Sequence, residues 1–262
     1  MNIIVCIKQV PETTEVKIDP KTNTLIREGV DSMTNPFDLW AIEEGVQIKE
    51  KLGGKVTALS MGPPQAEQVL RDAIAVNVDE GILLSDPAFA GADTLATSYT
   101  LAQAIRKIGA FDLILCGKQA TDGDTAQVGP GIAVHLDIPQ IVFVKKIREI
   151  TKDRIVAERM VEEGIEVVES SLPCLVTVVK DINQPRMPSL RGKMMAKKAV
   201  VPVWGVKNIE VDPEKLGLQG SPTWVDKVFS PPSRSKGKIF EGETEAVVKG
   251  FIEALQEDKL LQ

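Results

Sequence analysis

The chain has 262 residues, enough for one large α/β domain or a domain with appendages. Hydrophobic residues are 43% of it, so a sizeable core can form, and charged residues are an ordinary 26%. The net charge of −6 argues against nucleic acid, which needs a basic face, and no apolar run reaches the roughly 18 residues of a membrane helix.

The chain opens on Asn2–Ile7, an apolar, β-branched run that reads directly as a strand. No basic segment with an apolar signal stretch precedes it, so the expected location is cytoplasmic. Phe37–Leu52 has helical spacing, with Leu39, Ile42, Val46 and Leu52 on one face, and Gly53-Gly54 stops it. Lys55–Met61 follows as a strand, Gln65–Val76 as a helix, Gly81–Leu84 as a short strand and Thr94–Ile108 as a helix. Phe111–Cys116 is another strand, in which Leu113, Ile114 and Leu115 run continuously apolar. Thr125–His135 is a helix with Pro130 in its first turn, where the missing N–H costs little.

Continuous apolar strands alternating with helices predict a mostly parallel, doubly wound α/β sheet of the adenine-nucleotide-binding type. Such sheets bind ligands beyond the carboxyl ends of their strands. Those ends fall near Cys6–Pro11, Met61–Pro64, Ser85–Asp93 and Gly117–Asp124.

From Ile141 the pattern changes. Ile141–Ile147, Arg154–Met160, Glu166–Val168 and Leu175–Val179 read as strands of an antiparallel extension joined by short polar turns. After Asp181, Pro185, Pro188, Pro202, Pro213, Pro222, Pro231 and Pro232 predict an extended tail, closed by an amphipathic helix near Glu243–Leu255. The expected division is a nucleotide-binding domain over 1–181 and a docking loop, tail and C-terminal helix over 182–262.

Cys6, Cys116 and Cys174 are far apart and lack metal-ligand spacing; each lies in or beside an apolar run and reads as a small buried side chain. The single histidine, His135, has no sequence-local partner, so neither a catalytic triad nor a metal site is expected.

Three stretches have two readings each. Gly117–Gly129 leads from a buried strand into a helix. It is either a polar connection or a loop whose amides hold a phosphate or ribose, with Asp124 or Thr125 as cap. No Walker order GxxxxGK[ST] and no GxGxxG is present. Gly91-Ala92-Asp93-Thr94 with Thr97 either caps a helix or places two hydroxyls for phosphate oxygens. Arg186, Arg191, Lys193, Lys197, Lys198 and Lys207 lie in Ile182–Ile209, which has no acidic residue and includes Met187, Leu190, Met194 and Met195. That stretch is either a solvated basic loop or a docking loop with an apolar tip.

Together these pieces resemble the electron-transfer flavoprotein beta family along nearly the whole chain. The resemblance rests on Val5-Cys6-Ile7-Lys8-Gln9-Val10-Pro11, Asn35-Pro36-Phe37-Asp38, Met61-Gly62-Pro63 and Gly117-Lys118-Gln119-Ala120. Most specific are Ala157-Glu158-Arg159-Met160-Val161-Glu162-Glu163-Gly164-Ile165-Glu166-Val167-Val168 and Leu172-Pro173-Cys174-Leu175-Val176-Thr177.

The resemblance implies a heterodimer with an alpha subunit and a nucleotide site in this chain. In one branch of the family that site holds a structural AMP. In the anaerobic branch it holds FAD, which takes a hydride from NADH and divides the electrons between a ferredoxin or flavodoxin and an acyl-CoA dehydrogenase. Carried over, the cofactor-binding residues are Cys6, Asn35, Asp38, Met61, Gly117, Gln119, Asp122, Gly123, Asp124, Thr125, Gln127 and Val128. Thr94 and Thr97 are added for a flavin diphosphate. The loop departs from the AMP type, which carries an acidic run and an Asn; Gly123 and Ala126 leave room for a larger ligand, so FAD is the expected cofactor. Leu190 matches the family's docking anchor, with Arg191 and Lys193 beside it. Competing classes are an adenine-nucleotide ligase or amidotransferase, whose Ser-Gly-Gly-x-Asp-Ser loop is absent, and an AMP-sensing regulatory module.

Overall fold

The structure is a computed structural model that describes residues 1–12, 32–226 and 237–261. In chain order its elements are β1 (Asn2–Cys6), β2 (Gln9–Pro11), β3 (Ser32–Thr34), α1 (Pro36–Leu52), β4 (Lys55–Met61), α2 (Glu67–Ala75), β5 (Glu80–Leu84), α3 (Thr94–Ile108) and β6 (Leu113–Gly117). They continue with α4 (Val128–Leu136), β7 (Gln140–Ile150), β8 (Arg154–Val161), β9 (Gly164–Ser171), β10 (Cys174–Val178), α5 (Leu190–Lys198), β11 (Val203–Trp204) and α6 (Thr244–Glu257).

Nine strands form one sheet in the order β11-β5-β4-β1-β6-β10-β7-β8-β9. The pairings from β11 to β7 are all parallel, and only β7–β8 and β8–β9 are antiparallel. Ile3, Val5, Val56, Leu113 and Leu115 face α1 and α2, while Ile4, Leu59, Ile114 and Cys116 face α3 and α4. Both faces are covered, which is why these strands read as unbroken apolar runs. Among the described residues no helix is long and apolar enough to cross a membrane.

The structure corrects three expectations. The strand expected at Leu175–Val179 within the antiparallel extension is β10, which inserts in parallel between β6 and β7. Its residues Cys174, Leu175, Val176 and Val178 are fully buried, and a strand covered on both faces carries no alternation to reveal its neighbours. The helix expected from Thr125 starts at Val128, leaving 118–127 as loop. Asp124 and Ala126 there have left-handed φ values of 53° and 54°, which a helix cannot contain.

The stretch 182–226 is not an extended tail. Residues 1–226 form one compact unit and 227–262 another. Within the first, α5 packs on α2, β11 adds to β5 as an edge strand, and Val201, Ile209 and Leu216 are buried. Pro202 and Pro213 flank these pieces rather than dissolving them, since Pro213 opens a short 3-10 turn. Pro231 and Pro232 lie outside the described residues. In the second unit, α6 buries none of its side chains and exposes Val248, Phe251 and Ile252, with Phe240 edge-on to Phe251 at 6.0 Å.

The anchor of this segment is Arg186. Its guanidinium donates from Nε to Glu43 Oε2 at 2.8 Å and from Nη2 to Glu43 Oε1 at 3.0 Å, and it forks onto Glu50 at 2.6 and 3.0 Å. Glu43 is only 4% exposed. Burial alone would raise its pKa, but Arg186 outweighs that and holds the carboxyl below its ordinary range. Beside it, Asn183 Nδ2 donates to Trp40 O and to Glu44 Oε2. Arg186 is therefore a structural clamp onto α1 rather than a free docking cation.

Replacing Arg186 by Met leaves Glu43 buried without its counter-charge. The expected cost is about 2–3 kcal/mol, below the range for a fully buried pair because Arg186 is partly exposed. The clamp's pH-linked share is complete above about pH 4.5, Glu43's ordinary pKa, and is lost on further acidification. Denaturant melts at pH 7 and pH 4 measure both effects. Arg191→Met, at an exposed position with no ion pair among the described residues, is expected to change stability by less than about 0.5 kcal/mol.

Candidate functional site

The chain runs outward from β1 to β4 and β5, then returns past β1 to β6. Connections leave β1 and β6 in opposite directions, so a crevice opens beyond their carboxyl ends. Cys6, Met61 and Gly117 stand at strand ends along this edge.

Asn35 and Asp38 staple the crevice together. Pro36 starts α1, and Asn35 before it spends its side chain on other segments. Its Nδ2 donates to Asp38 Oδ1 and to Gln119 O, both at 2.9 Å, and its Oδ1 accepts from Thr121 N at 3.1 Å. Asp38 Oδ2 accepts from Lys8 N at 2.7 Å, and the Gly117 N–H also donates to the carboxyl. The loops after β1 and β6 are thus tied to one helix start. Gly117 is required there, because a Cβ would lie 2.4 Å from Asp38 Oδ1 and 2.7 Å from the Phe37 carbonyl carbon. Asp38 is 5% exposed, and burial pushes its pKa up to about 7 against the N–H donors that favour the ionised form.

Outside this staple the loop 118–127 faces solvent. Lys8 Nζ pairs with Asp122 at 2.7 Å, and Gln119 Nε2 donates to Asp124 Oδ1. Gly123 has open space around it, with nothing within 4 Å of a Cβ built there, and Thr125 is exposed. Thr94 Oγ1 donates to Gln127 Oε1 at 2.9 Å, joining the start of α3 to that of α4. Thr97 is half-buried one turn along α3, while Met61 and Val128 pack partly against the core beneath. Cys6 and Cys116 are register partners on adjacent strands. A hydrogen bond to Cys6, together with burial, keeps the Cys116 thiol well above its usual pKa.

The two helix starts differ. Asp93 caps α3, accepting from Leu95 N at 2.9 Å and Ala96 N at 3.1 Å. Partial burial opposes its charge, but these donors and Thr223 hold the carboxyl below its ordinary range. The α3 start therefore offers hydroxyls rather than free amides. At α4 no side chain caps the first turn.

The geometry thus collects Cys6, Asn35, Asp38, Gly117, Gln119, Asp122, Asp124, Thr94 and Gln127 along one edge. Lys8 and Thr121, which lie in the motif stretches Val5–Pro11 and Gly117–Gly129 but are not among the expected binding residues, join them through Asp122 and Asn35, 114 and 86 residues away. Leu190, Arg191 and Lys193 do not belong to this group. They sit on α5, whose first turn abuts Ala75 at the far end of α2, beside the strands' amino edge. There Leu190 is 79% exposed and Met187 87%.

The donor set at the carboxyl edge comprises side-chain amides, threonine hydroxyls and loop N–H groups. It suits the base, ribose and phosphate of a nucleotide. Among the described residues no cluster of His, Cys, Asp or Glu could hold a metal ion.

Residues 22–208 match the family described as the electron transfer flavoprotein domain. The chain is 51% identical over 256 residues to the electron transfer flavoprotein subunit beta of Thermoanaerobacterium thermosaccharolyticum, covering 97% of this chain and 98% of that one. It is 48% identical over 260 residues, 99% of each chain, to the caffeyl-CoA reductase-Etf complex subunit CarD of Acetobacterium woodii. It is 44% identical over 262 residues to protein FixA of Bradyrhizobium diazoefficiens, covering 97% of this chain and 91% of that one.

The raised pKa of Asp38 makes stability depend on pH. The folded chain holds this proton more tightly than the unfolded one, so the contribution is full below pH 3.8 and is lost as pH rises to about 7. With 1.36 kcal/mol per pKa unit, the loss is on the order of 4 kcal/mol at most. Melts between pH 5 and 8 should fall more steeply for the native chain than for Asp38→Asn, which cannot titrate. Parallel slopes would show that Asp38 is ionised throughout.

Proposed function

Because the chain belongs to the electron transfer flavoprotein beta-subunit family, we propose that it pairs with an alpha subunit and holds FAD at the carboxyl edge of its sheet. In this reading the complex carries electrons from NADH toward an acyl-CoA dehydrogenase and a ferredoxin or flavodoxin. The observation that carries the reading is the Asn35–Asp38 staple. It builds an outward-facing loop, 118–127, with open space at Gly123, at the point where such sheets bind nucleotides.

The assigned roles follow from the contacts. Asn35 and Asp38 hold the crevice in shape without being free to bind. Gln119, Thr125 and Gln127 present polar groups to base and ribose. The hydroxyls of Thr94 and Thr97 serve a diphosphate. A bound flavin supplies the hydride-accepting and one-electron chemistry that the protein's own side chains lack. The name of the CarD relative, a subunit of a reductase-Etf complex, supports a dehydrogenase-type partner for this chain as well. The unburied apolar face of α6 supports engagement with the alpha subunit.

A second reading, with AMP in the site, is favoured by one observation. Asp93 already occupies the amides of Leu95 and Ala96, which a diphosphate at α3 would otherwise use.

Extraction of nucleotides from the chain co-purified with its alpha subunit separates the two. The FAD reading expects about two flavins per heterodimer, and one flavin with one AMP would reject it.

The docking assignment is tested by Leu190→Ala. Moving a leucine from water into an apolar pocket gains about 1.5–3 kcal/mol, so electron transfer to the dehydrogenase should weaken roughly tenfold or more. Flavin reduction by NADH should be unchanged, because α5 is not on the carboxyl edge. The neighbouring Arg191 and Lys193 are expected to act mainly on association rate, an effect that salt removes. Equal loss of both activities would return Leu190 to a structural role.

A further inference from the structure

The residue after Gly117 points to a second component of the site. Lys118 has its backbone N–H on Val178 O at 2.8 Å, so it stands at the carboxyl edge beside β10. Its ammonium lies 5.3 Å from the centroid of the Phe143 ring. Among the described residues no carboxylate pairs with it, although Lys8, at the neighbouring strand end, pairs with Asp122.

Phe143 is held in a conformation that its residue type disfavours. Its φ is 61°, in the left-handed region, and it lies within a strand where the β7–β10 register shifts between Val176 and Val178. Thr177, 1% exposed, fixes this distortion by accepting the Phe143 N–H on Oγ1 at 3.0 Å. Gly129, in the first turn of α4, packs so closely here that a Cβ would lie 2.8 Å from Thr177 Cγ2. Strain of this kind persists where the surroundings enforce it, and it concentrates at ligand sites. Here its consequence is visible: the bulge puts an aromatic face under an otherwise unpaired cation.

We propose that Lys118, seated on the ring of Phe143, is the cation that binds a phosphate of the nucleotide held by this site. The inference rests on the nucleotide-binding reading above and assigns a residue to the ligand's charge. The ring face restricts the ammonium without neutralising it, since an aromatic quadrupole attracts a cation but carries no net charge. The carboxyl groups of this edge have other partners: Asp122 pairs with Lys8, Asp124 accepts from Gln119, and Asp38 is enclosed by N–H donors.

The test uses the full chain with its alpha subunit, freed of nucleotide in this chain's site, and compares AMP with adenosine, which differ only in the phosphate. The native complex should prefer AMP, with a preference that falls as salt is added. In Lys118→Met that preference should drop by roughly tenfold to a hundredfold, as for loss of a charge-assisted hydrogen bond, and become salt-insensitive. Adenosine affinity should stay the same. Lys118→Arg should retain most of the preference, and Phe143→Leu should lose part of it with Lys118 still present. An unaltered preference in Lys118→Met, or equal loss for AMP and adenosine, would overturn the assignment while leaving the nucleotide site standing. Failure of the native complex to bind any of AMP, adenosine or FAD in this site would overturn the site itself.

Discussion

Asp38 sits where the sheet reverses its winding order, and four pieces of chain depend on it: the end of β1, the start of α1, the end of β6 and the loop beyond. A carboxyl group buried this deeply is unfavourable unless its oxygens are satisfied. Here Lys8, Asn35 and Gly117 supply the donors. The same requirement dictates the surroundings. Gly117 has no room for a side chain, and Asn35 turns its amide to Gln119 and Thr121 instead of capping α1. Once these bonds are made, the loop over the crevice has a fixed base and a free, solvent-facing rim.

That division between base and rim explains how one edge can be both rigid and receptive. The stapling residues are buried and already paired. The residues of the rim, from Lys118 to Gln127, are half-buried or exposed. The two helix starts divide in a similar way, one closed by Asp93 and the other without a side-chain cap. In the proposed reading a nucleotide would meet a preorganised frame, so little ordering would have to accompany binding.

The second buried carboxylate, Glu43, has a different consequence. By pairing with Arg186 it ties the start of the C-terminal third to α1, and from there the chain reaches α2 and lays down α5. The clamp makes a surface helix of what would otherwise be a loose basic stretch. It also keeps the two proposed surfaces apart. The exposed Leu190 and its neighbouring cations lie by the amino edge of the strands, and the crevice proposed for the nucleotide lies beyond the carboxyl edge. A macromolecule at one edge and a small ligand at the other do not compete for surface.

Much of this was legible in the amino-acid order. Apolar runs alternating with helical spacing determined a covered parallel sheet, because only burial on both faces removes the need for polar residues within a strand. The glycines and polar residues of 117–129 marked a loop at the carboxyl edge, and the motifs around Asn35 and Gly117 marked the family. Tertiary structure decided what depends on distant partners. β10 carries no alternation, so nothing local could distinguish a place inside the parallel sheet from one in the antiparallel extension. Arg186 read as one of six cations; only its distance of 136 to 143 residues from Glu50 and Glu43, closed by folding, made it a clamp. Lys118 looked like part of a motif until the bulge at Phe143 brought an aromatic face beneath it. Sequence order determines which segments can be strands and helices through burial and periodicity. Pairings such as Arg186 with Glu43, and strain such as that at Phe143, arise only when segments far apart in the chain are brought into contact.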